Sequence, residues 1–374
     1  MIIGIDGNEA NIKERVGVHQ YAFEILWGLY KLQDINNPES EFVIYLKNTK
    51  NADLPPQKQG WKYKIIRGGR LWILTRLMPK LLLSEKIDVF FSPNHYLPLF
   101  INKPLVCTIH DLGYLDFSGQ FKKNDIWQLK YWSAISIIIS KYIICPSRST
   151  REMIVRHYPF AVNKVKIVYH GYDYDNYNIR IPQKLVRQVA DKYRIRKNYI
   201  LFLSTLKPSK NIEGLIEAYS TLKNNGDRHL VIAGKKGWLY ERIFKKVKEL
   251  GLEKDVVFTD YISEEDKRGL IRGSVVFVLP SFWEGFGMDI LEAMACGVPV
   301  VVSKVASLPE VAGDAAVYVD PYNIDSIAKG IGKVLDMSTN ERKRMINKGL
   351  KQAEMFNWKK SAAETLKVLT EAGK

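Results

Sequence analysis

Short runs of apolar and β-branched residues recur along the chain, separated by longer stretches with a helical period. In the first half they are Ile2–Ile5, Phe42–Leu46, Tyr63–Ile66, Asp88–Phe91, Leu105–Ile109, Tyr142–Cys145 and Val165–Val168. In the second half they are Tyr199–Leu203, His229–Ala233, Val256–Thr259, Val275–Leu279, Val300–Val302 and Val317–Val319. Most are continuous rather than alternating, which predicts parallel strands buried on both faces. Helical patterns such as Tyr21–Leu32 and Ile212–Leu222 lie between them. Strand and helix in alternation predict βαβ units and doubly wound α/β sheets. The series restarts near Tyr199, after a Tyr-, Asp- and Asn-rich stretch (172–181) without a core pattern that reads as a linker. Two Rossmann-like domains follow, residues 1–178 and 179–355. Such sheets bind ligands at the carboxyl ends of their strands, so a substrate is expected in a cleft between the two.

Composition narrows this picture. A chain of 374 residues exceeds one ordinary core, and 46% hydrophobic with 26% charged residues is the balance of a folded protein. Cys107, Cys145 and Cys296 lie far apart, so no disulfide framework or C-x-x-C pair exists and a reducing compartment is expected. Met1-Ile-Ile-Gly-Ile-Asp6 already reads as a strand, not a targeting segment. The apolar stretch Ala134–Cys145 carries Lys141 and, at about 12 residues, is shorter than the roughly 20 that span a bilayer. A cytoplasmic location follows as an expectation.

Charge adds a partner class. The net charge of +16 favours anionic partners. Between Lys58 and Lys86 eight Lys or Arg face one acid, Glu85, interleaved with Trp61, Tyr63, Leu71, Trp72, Ile73, Leu74, Leu77 and Met78. That mixture resembles a basic amphipathic surface segment, and peripheral contact with an anionic membrane is expected. No zinc spacing, RNA-binding aromatic motif or helix-turn-helix pattern points to nucleic acid.

The most informative segment runs from Val275 to Pro299 and includes Glu284-Gly-Phe-Gly-Met-Asp-Ile-Leu-Glu292. It reads as strand, glycine loop, helix, loop and next strand. Gly285 and Gly287 allow close backbone approach to a ligand. A helix starting near Met288 aims its free N–H groups at that loop, an anion site suited to a diphosphate. Asp289 and Glu292 have the spacing of a capping pair.

The order E-G-F-G-x-x-x-x-E-A-M-A-C-G-V-P-V-V resembles the donor-site signature of glycosyltransferase family 4, retaining enzymes of the GT-B fold. Other segments match in order: Gly4-Ile-Asp-Gly7 with Gly17-Val-His-Gln-Tyr21, Val106-Cys-Thr-Ile-His-Asp-Leu-Gly113, Val168-Tyr-His-Gly-Tyr-Asp173 and Phe202-Leu-Ser-Thr-Leu-Lys-Pro-Ser-Lys-Asn211. Phe356-Asn-Trp358 looks like the start of the C-terminal helix, 356–374, that crosses back to the first domain. The His-Asp pair looks most similar to mannosyltransferase-like members.

The resemblance implies a nucleotide-diphosphate sugar as donor, a glycan or lipid-linked acceptor, and no metal or other cofactor. It implies that Lys210 binds the donor phosphates, with Gly17, Thr205 and the Gly285-Phe286-Gly287 backbone around them. Glu292 would accept from the ribose hydroxyls, Glu284 would face the transferred sugar, and His110 would contact that sugar's hydroxyls. Asp111 is a further candidate, although it could simply cap a turn. The base pocket is expected near Gly234–Trp238 and Tyr261–Ile262. Two departures stand out. Thr205 and Ser209 occupy positions where the family often has Arg, with Lys207 nearby to offset the loss. Asp289 stands where Pro is common; its side chain is expected to turn back onto the helix end.

Three other classes compete. A nicotinamide-dependent dehydrogenase needs G-x-G-x-x-G after a strand, and neither half has it. A non-catalytic membrane or polyanion binder would have no need of Lys210, Glu284 and Glu292 together. A nucleotide-sugar epimerase of the same fold fits the motif order less well.

Overall fold

The computed structural model describes residues 1–36, 40–69, 71–83, 85–120, 123–196, 198–222 and 228–374. It contains two wholly parallel sheets. The first consists of β1 (Ile2–Asp6), β2 (Glu41–Leu46), β3 (Trp61–Ile65), β4 (Val89–Ser92), β5 (Leu105–Thr108), β6 (Tyr142–Cys145) and β7 (Val165–Ile167), in the order β3-β2-β1-β4-β5-β6-β7. The second consists of β8 (Asn198–Leu203), β9 (Arg228–Ala233), β10 (Val256–Phe258), β11 (Val276–Leu279), β12 (Val300–Ser303) and β13 (Ala316–Val319), ordered β10-β9-β8-β11-β12-β13. In each, the strand order reverses beside the first strand of the series, the switch point where doubly wound sheets bind ligands. Every expected strand is present within a residue or two of its apolar run.

The chain divides into two compact units. One comprises residues 1–116, 123–171 and Trp358–Lys374; the other comprises Tyr172–Asn357 and a short piece beginning at Phe117. The central strands β1, β4, β5, β8, β11 and β12 are buried along almost their whole length, as their unbroken apolar runs require. The last helix, Trp358–Gly373, belongs to the first unit. It packs on the helix Val18–Asn36, and Lys141 donates from Nζ to the Ala372 carbonyl at 2.9 Å.

Two readings change. The 172–181 stretch has more core than its composition suggests, because Tyr172, Tyr177 and Ile181 are buried. In the basic segment 58–86, Trp61, Trp72 and Leu77 belong to the core, while Ile65, Leu71, Leu82 and Leu83 stay exposed. Trp61 packs edge-on against Tyr30 and tilted on Phe42, and Trp72 donates its indole N–H to the Ile66 carbonyl. Trp61 alternates with Lys62 and Lys64 on strand β3, and Trp72 opens the helical turn Ile73–Leu77; both turn to the core rather than the surface. Among the described residues no helix is long and apolar enough to cross a membrane.

Candidate functional site

At the carboxyl edge of the second sheet, two segments 74 positions apart meet. The loop after β8 tightens into a 3-10 turn, Pro208–Lys210, closed by Asn211 in the left-handed region (φ 52°) before the helix Ile212–Ser220. The loop after β11 approaches it, and Phe282 N–H donates to the Ser209 carbonyl at 2.9 Å. Lys210 Nζ then lies 2.5 Å from Glu284 Oε1, which also accepts from Ser281 Oγ at 2.8 Å. Both charged side chains are only 10% exposed, so each depends on the other for its charge to be tolerated. Ser307 Oγ sits 2.9 Å from the carbonyl oxygens of both Glu284 and Phe286, and its single proton pins the loop to one or the other.

The helix following that loop is Met288–Ala295, with Gly287 as its N-cap at φ 102°. A side chain at that φ would be strained, so glycine is needed there. Ile290 N–H donates to the Gly287 carbonyl at 3.1 Å, and the helix start leaves the N–H groups before it without an acceptor in the preceding turn, which keeps the expected anion site. Phe286 contributes only backbone to it; its ring is buried edge-on against Phe356, centroids 5.7 Å apart.

Asp289 departs from expectation. No side chain caps this helix, and Asp289 Oδ1 instead lies 3.3 Å from Lys267 Nζ. The reason is two residues of register: Gly287 is the N-cap and the helix starts at Met288, so Asp289 already lies inside it and cannot serve as N-cap. Lys267 Nζ is also 2.6 Å from Glu292 Oε2. It comes from the neighbouring helix Glu264–Gly273, and the Tyr177 ring covers it with its centroid 5.4 Å away. Tyr177 in turn donates its hydroxyl to Glu264 Oε2 at 2.5 Å. Burial raises the Glu292 carboxyl to about 8, Lys267 opposes that rise, and Asp289 and Glu264 add to it. Burial works against the Lys267 charge, but Glu292, Tyr177, Asp289 and Glu264 hold its ammonium well above the usual lysine range.

The loops after β8, β9 and β10 are laced together. Gly234 takes φ 138°, and a Cβ there would stand 2.0 Å from the Ser204 carbonyl oxygen, so only glycine permits this approach. Gly234 N–H donates to Asp260 O at 3.1 Å, and Gly237 N–H to Leu206 O at 3.0 Å. Thr205 is thereby set against Gly237, whose Cβ would meet its methyl at 3.0 Å. Lys207 Nζ lies 5.3 Å from the Trp238 ring centroid. Ile262 is buried and Tyr261 exposed, immediately before Ser263 caps the helix that carries Lys267. The candidates Thr205, Gly234, Tyr261 and Ile262 thus share one edge of the unit.

In the first unit, His110 lies two residues beyond β5. Its Nε2 is 2.9 Å from the Pro93 carbonyl oxygen. A carbonyl only accepts, so Nε2 carries the proton and Nδ1 is left as an acceptor in the neutral ring. Burial lowers the His110 pKa, against the opposing effect of the Pro93 bond and of Asp111 and Glu9. Tyr21 packs edge-on against His110 (4.9 Å) and tilted against His170 (4.6 Å). Asp111 Oδ1 accepts from Gly113 N–H at 2.9 Å, the turn-capping role. Gly17, at φ 45°, opens the helix Val18–Asn36, and a Cβ there would meet nothing within 4 Å.

Several residues at these edges escaped the motif reading. Lys267, Tyr177 and Glu264 surround Glu292. Glu9, three residues beyond β1, lies 3.2 Å from His19 Nε2 and accepts from Asn94 at 2.8 Å. Burial alone would raise the Glu9 carboxyl, but the His19 and Asn94 bonds hold it below the usual range. The one available signal for Glu9 was its place just past a strand's carboxyl end.

Comparison with known proteins agrees with this geometry. Residues 188–352 match the family described as "Glycosyl transferases group 1", and residues 44–176 match "Glycosyltransferase Family 4". The O-antigen chain mannosyltransferase B of Escherichia coli is 32% identical over 368 residues, covering 94% of each chain. Among solved structures, the sucrose-phosphate synthase of Thermosynechococcus elongatus superposes with a TM-score of 0.79 at 16% identity, over 99% of this chain and 98% of that one. Anabaena HepE in complex with UDP and glucose superposes with a TM-score of 0.76 at 16% identity, over 99% of each. At such identities the likeness is one of fold, the GT-B arrangement of two Rossmann-like units.

Proposed function

The chain belongs to glycosyltransferase family 4 and is a hexosyl-transferring enzyme, and we propose that it moves a mannosyl group from a nucleoside-diphosphate mannose to a growing glycan or lipid-linked acceptor, with retention and without metal. The observation that carries this reading is the meeting of Lys210 and Glu284 at 2.5 Å beside an uncapped helix N-terminus. Breaking the bond from sugar C1 to the diphosphate gathers negative charge on the leaving oxygen. Lys210 and the N–H groups of the first helical turn supply the compensating positive field where a metal would otherwise be needed. The same contact leaves Glu284 beside the phosphate lysine, placed to accept from the sugar's hydroxyls while Glu292 takes the ribose. His110, neutral and with Nδ1 as acceptor, receives a sugar hydroxyl proton in a hydrogen bond. The mannosyl assignment draws on the named Escherichia coli relative; UDP-glucose, from the UDP- and glucose-bound fold neighbour, is the competing donor.

The acceptor reading rests on the first unit's surface. Leu71, Leu82, Leu83, Phe100, Trp127, Tyr131, Ile135 and Ile138 are exposed, among Arg76, Lys80, Lys86, Lys103 and Lys130. A cavity of ≈ 290 Å³ lined by Leu74, Leu99, Trp127, Tyr131, Trp132 and Ile135 lies within that patch. Exposed aromatics with lysines and arginines suit an anionic membrane surface, which would present a lipid-linked acceptor from the cytoplasmic side.

One experiment tests the donor reading. Thermal unfolding with excess chelator is recorded against GDP-mannose, UDP-glucose and an ADP-sugar. Stabilisation of several degrees by GDP-mannose is expected, since a ligand that binds only the folded state adds to its stability. No response to any of them would sink the reading, and a response only with added metal would sink the metal-free mechanism. Proton NMR of the first-formed product reads the anomeric configuration. Equal partition of the protein with neutral and anionic vesicles would count against the membrane partner.

A further inference from the structure

We infer that Lys267 is a positioning residue for donor recognition: it holds the Glu292 carboxylate in place for the ribose hydroxyls and neutralises Asp289 beside it. This inference rests on the donor reading of Glu292 given above. Its own ground is a buried arrangement that no motif contains. Asp289 and Glu292 are one turn apart on the same face of the helix Met288–Ala295, where two like charges repel. Lys267 Nζ stands between them, 3.3 Å from Asp289 Oδ1 and 2.6 Å from Glu292 Oε2, on a side chain 15% exposed.

Lys267 is itself held. Its helix is capped by Ser263, which accepts from Asp266 N–H. That Asp266 is bound by Lys192 Nζ at 2.6 Å and the Tyr193 hydroxyl at 2.8 Å, which ties the helix to Gln183–Lys192. The Tyr177 ring lies over the ammonium, and the Tyr177 hydroxyl is fixed on Glu264. The arrangement also accounts for Asp289. An aspartate in the first turn of an anion-binding helix opposes a diphosphate, and Lys267 draws that charge aside. The lysine and the departure from the family pattern explain each other.

The groups facing Glu292 are Lys267 and Glu264 on the neighbouring helix, Tyr177 from the 172–181 stretch, and Asp289 and Cys296 on or just beyond its own helix, with Arg272 acting on Cys296. An ionised Glu292 accepts more strongly than a neutral one. Because burial raises its carboxyl to about 8, preference for a ribose over a sugar lacking both hydroxyls strengthens as pH rises through that region. Removing Lys267 shifts the rise to higher pH, and removing the Asp289 charge shifts it to lower pH. A purely structural lysine would produce neither shift.

The test compares GDP with 2′,3′-dideoxy-GDP, and UDP with its dideoxy counterpart, by calorimetry on the full chain from pH 6.5 to 9.5. The wild type is expected to prefer its ribonucleotide by about tenfold or more at high pH, the size of hydrogen bonds to a charged acceptor. Glu292→Gln and Lys267→Met are expected to abolish that preference at pH 9, while Lys267→Arg keeps most of it. Asp289→Asn keeps the preference and reaches it at lower pH. If Lys267→Met retained the wild-type ratio and pH dependence while Glu292→Gln lost the ratio, the inference would be overturned and the donor reading would stand. A wild type that bound neither nucleotide, or did not distinguish ribose from dideoxyribose, would overturn the donor reading and this inference with it.

Discussion

The two units share a plan and differ in how they carry charge at their ligand-binding edges. In the second, opposite charges are buried in contact: Lys210 on Glu284, and Lys267 on Glu292 and Asp289. In the first, the buried titratable groups are mostly histidines that burial keeps neutral, His95, His110 and His170. Paired charges suit a site that must meet a diphosphate and stabilise charge as it develops. Neutral acceptors suit the hydroxyls of a sugar, which carry no charge. The contrast also separates the risks. A paired charge fails when its partner is removed, and a neutral histidine fails when a proton is added.

The contrast predicts unequal losses of activity. Glu284→Gln is expected to lower kcat/KM by about three orders of magnitude, about 4 kcal/mol of transition-state stabilisation. His110→Ala removes a neutral hydrogen bond and is expected to cost about tenfold. Steady-state kinetics with saturating acceptor would show both. Equal losses would break the distinction between charged and neutral grips.

Stability gives the next test. Lys210→Met leaves Glu284 as an uncompensated buried charge, and a loss of about 3–5 kcal/mol is expected. The double change Lys210→Met with Glu284→Met should restore much of it, read as the urea midpoint. A double variant no more stable than the single would mean that the two charges do not depend on each other.

In the first unit the corresponding test is pH. Burial lowers the His95 pKa from 6.5 to about 4, with His110 adding to the shift, so between those values the unfolded chain binds a proton that the folded chain does not. Stability is therefore complete above about pH 6.5 and is lost as pH falls toward 4, by about 3 kcal/mol from this residue. His110 and His170 act in the same direction. Urea midpoints at pH 7 and pH 5 should differ for the wild type and differ less for His95→Gln. A pH-independent midpoint would mean that these histidines are not neutral in the folded protein.

The sequence showed what local pattern can encode. Every strand was legible because a buried parallel strand is an unbroken apolar run, and the Glu284–Glu292 segment because its glycines, helix start and carboxylates are close in the chain. The contact of Lys210 with Glu284 was not legible: the resemblance implied a phosphate role for one and a sugar role for the other, and their meeting depends on how two loops leave neighbouring strands. Lys267 was invisible for the same reason: its partners sit on another helix, and nothing in the Glu264–Gly273 pattern marks one lysine among its charges. Trp61 and Trp72 misled because aromatic residues among basic ones look alike on a strand or helical turn that faces the core and on a membrane face.

Asp289 is the smallest effect and the sharpest check on the contrast, because it shares its buried lysine with Glu292 and holds it less closely. Its side chain is 24% exposed and its distance to Lys267 is 3.3 Å, against 2.6 Å for Glu292. A pair of that exposure contributes about 0.3–1 kcal/mol. At a fixed pH of 7.5, Asp289→Asn should therefore change the donor KM less than about fivefold, and kcat hardly at all. Asp289→Pro should be tolerated too, since the first turn of a helix has no intrahelical bond for proline to remove. A loss of a hundredfold in kcat from Asp289→Asn would show that this carboxylate meets the substrate itself, and the second unit would then hold a charge that its lysines do not account for.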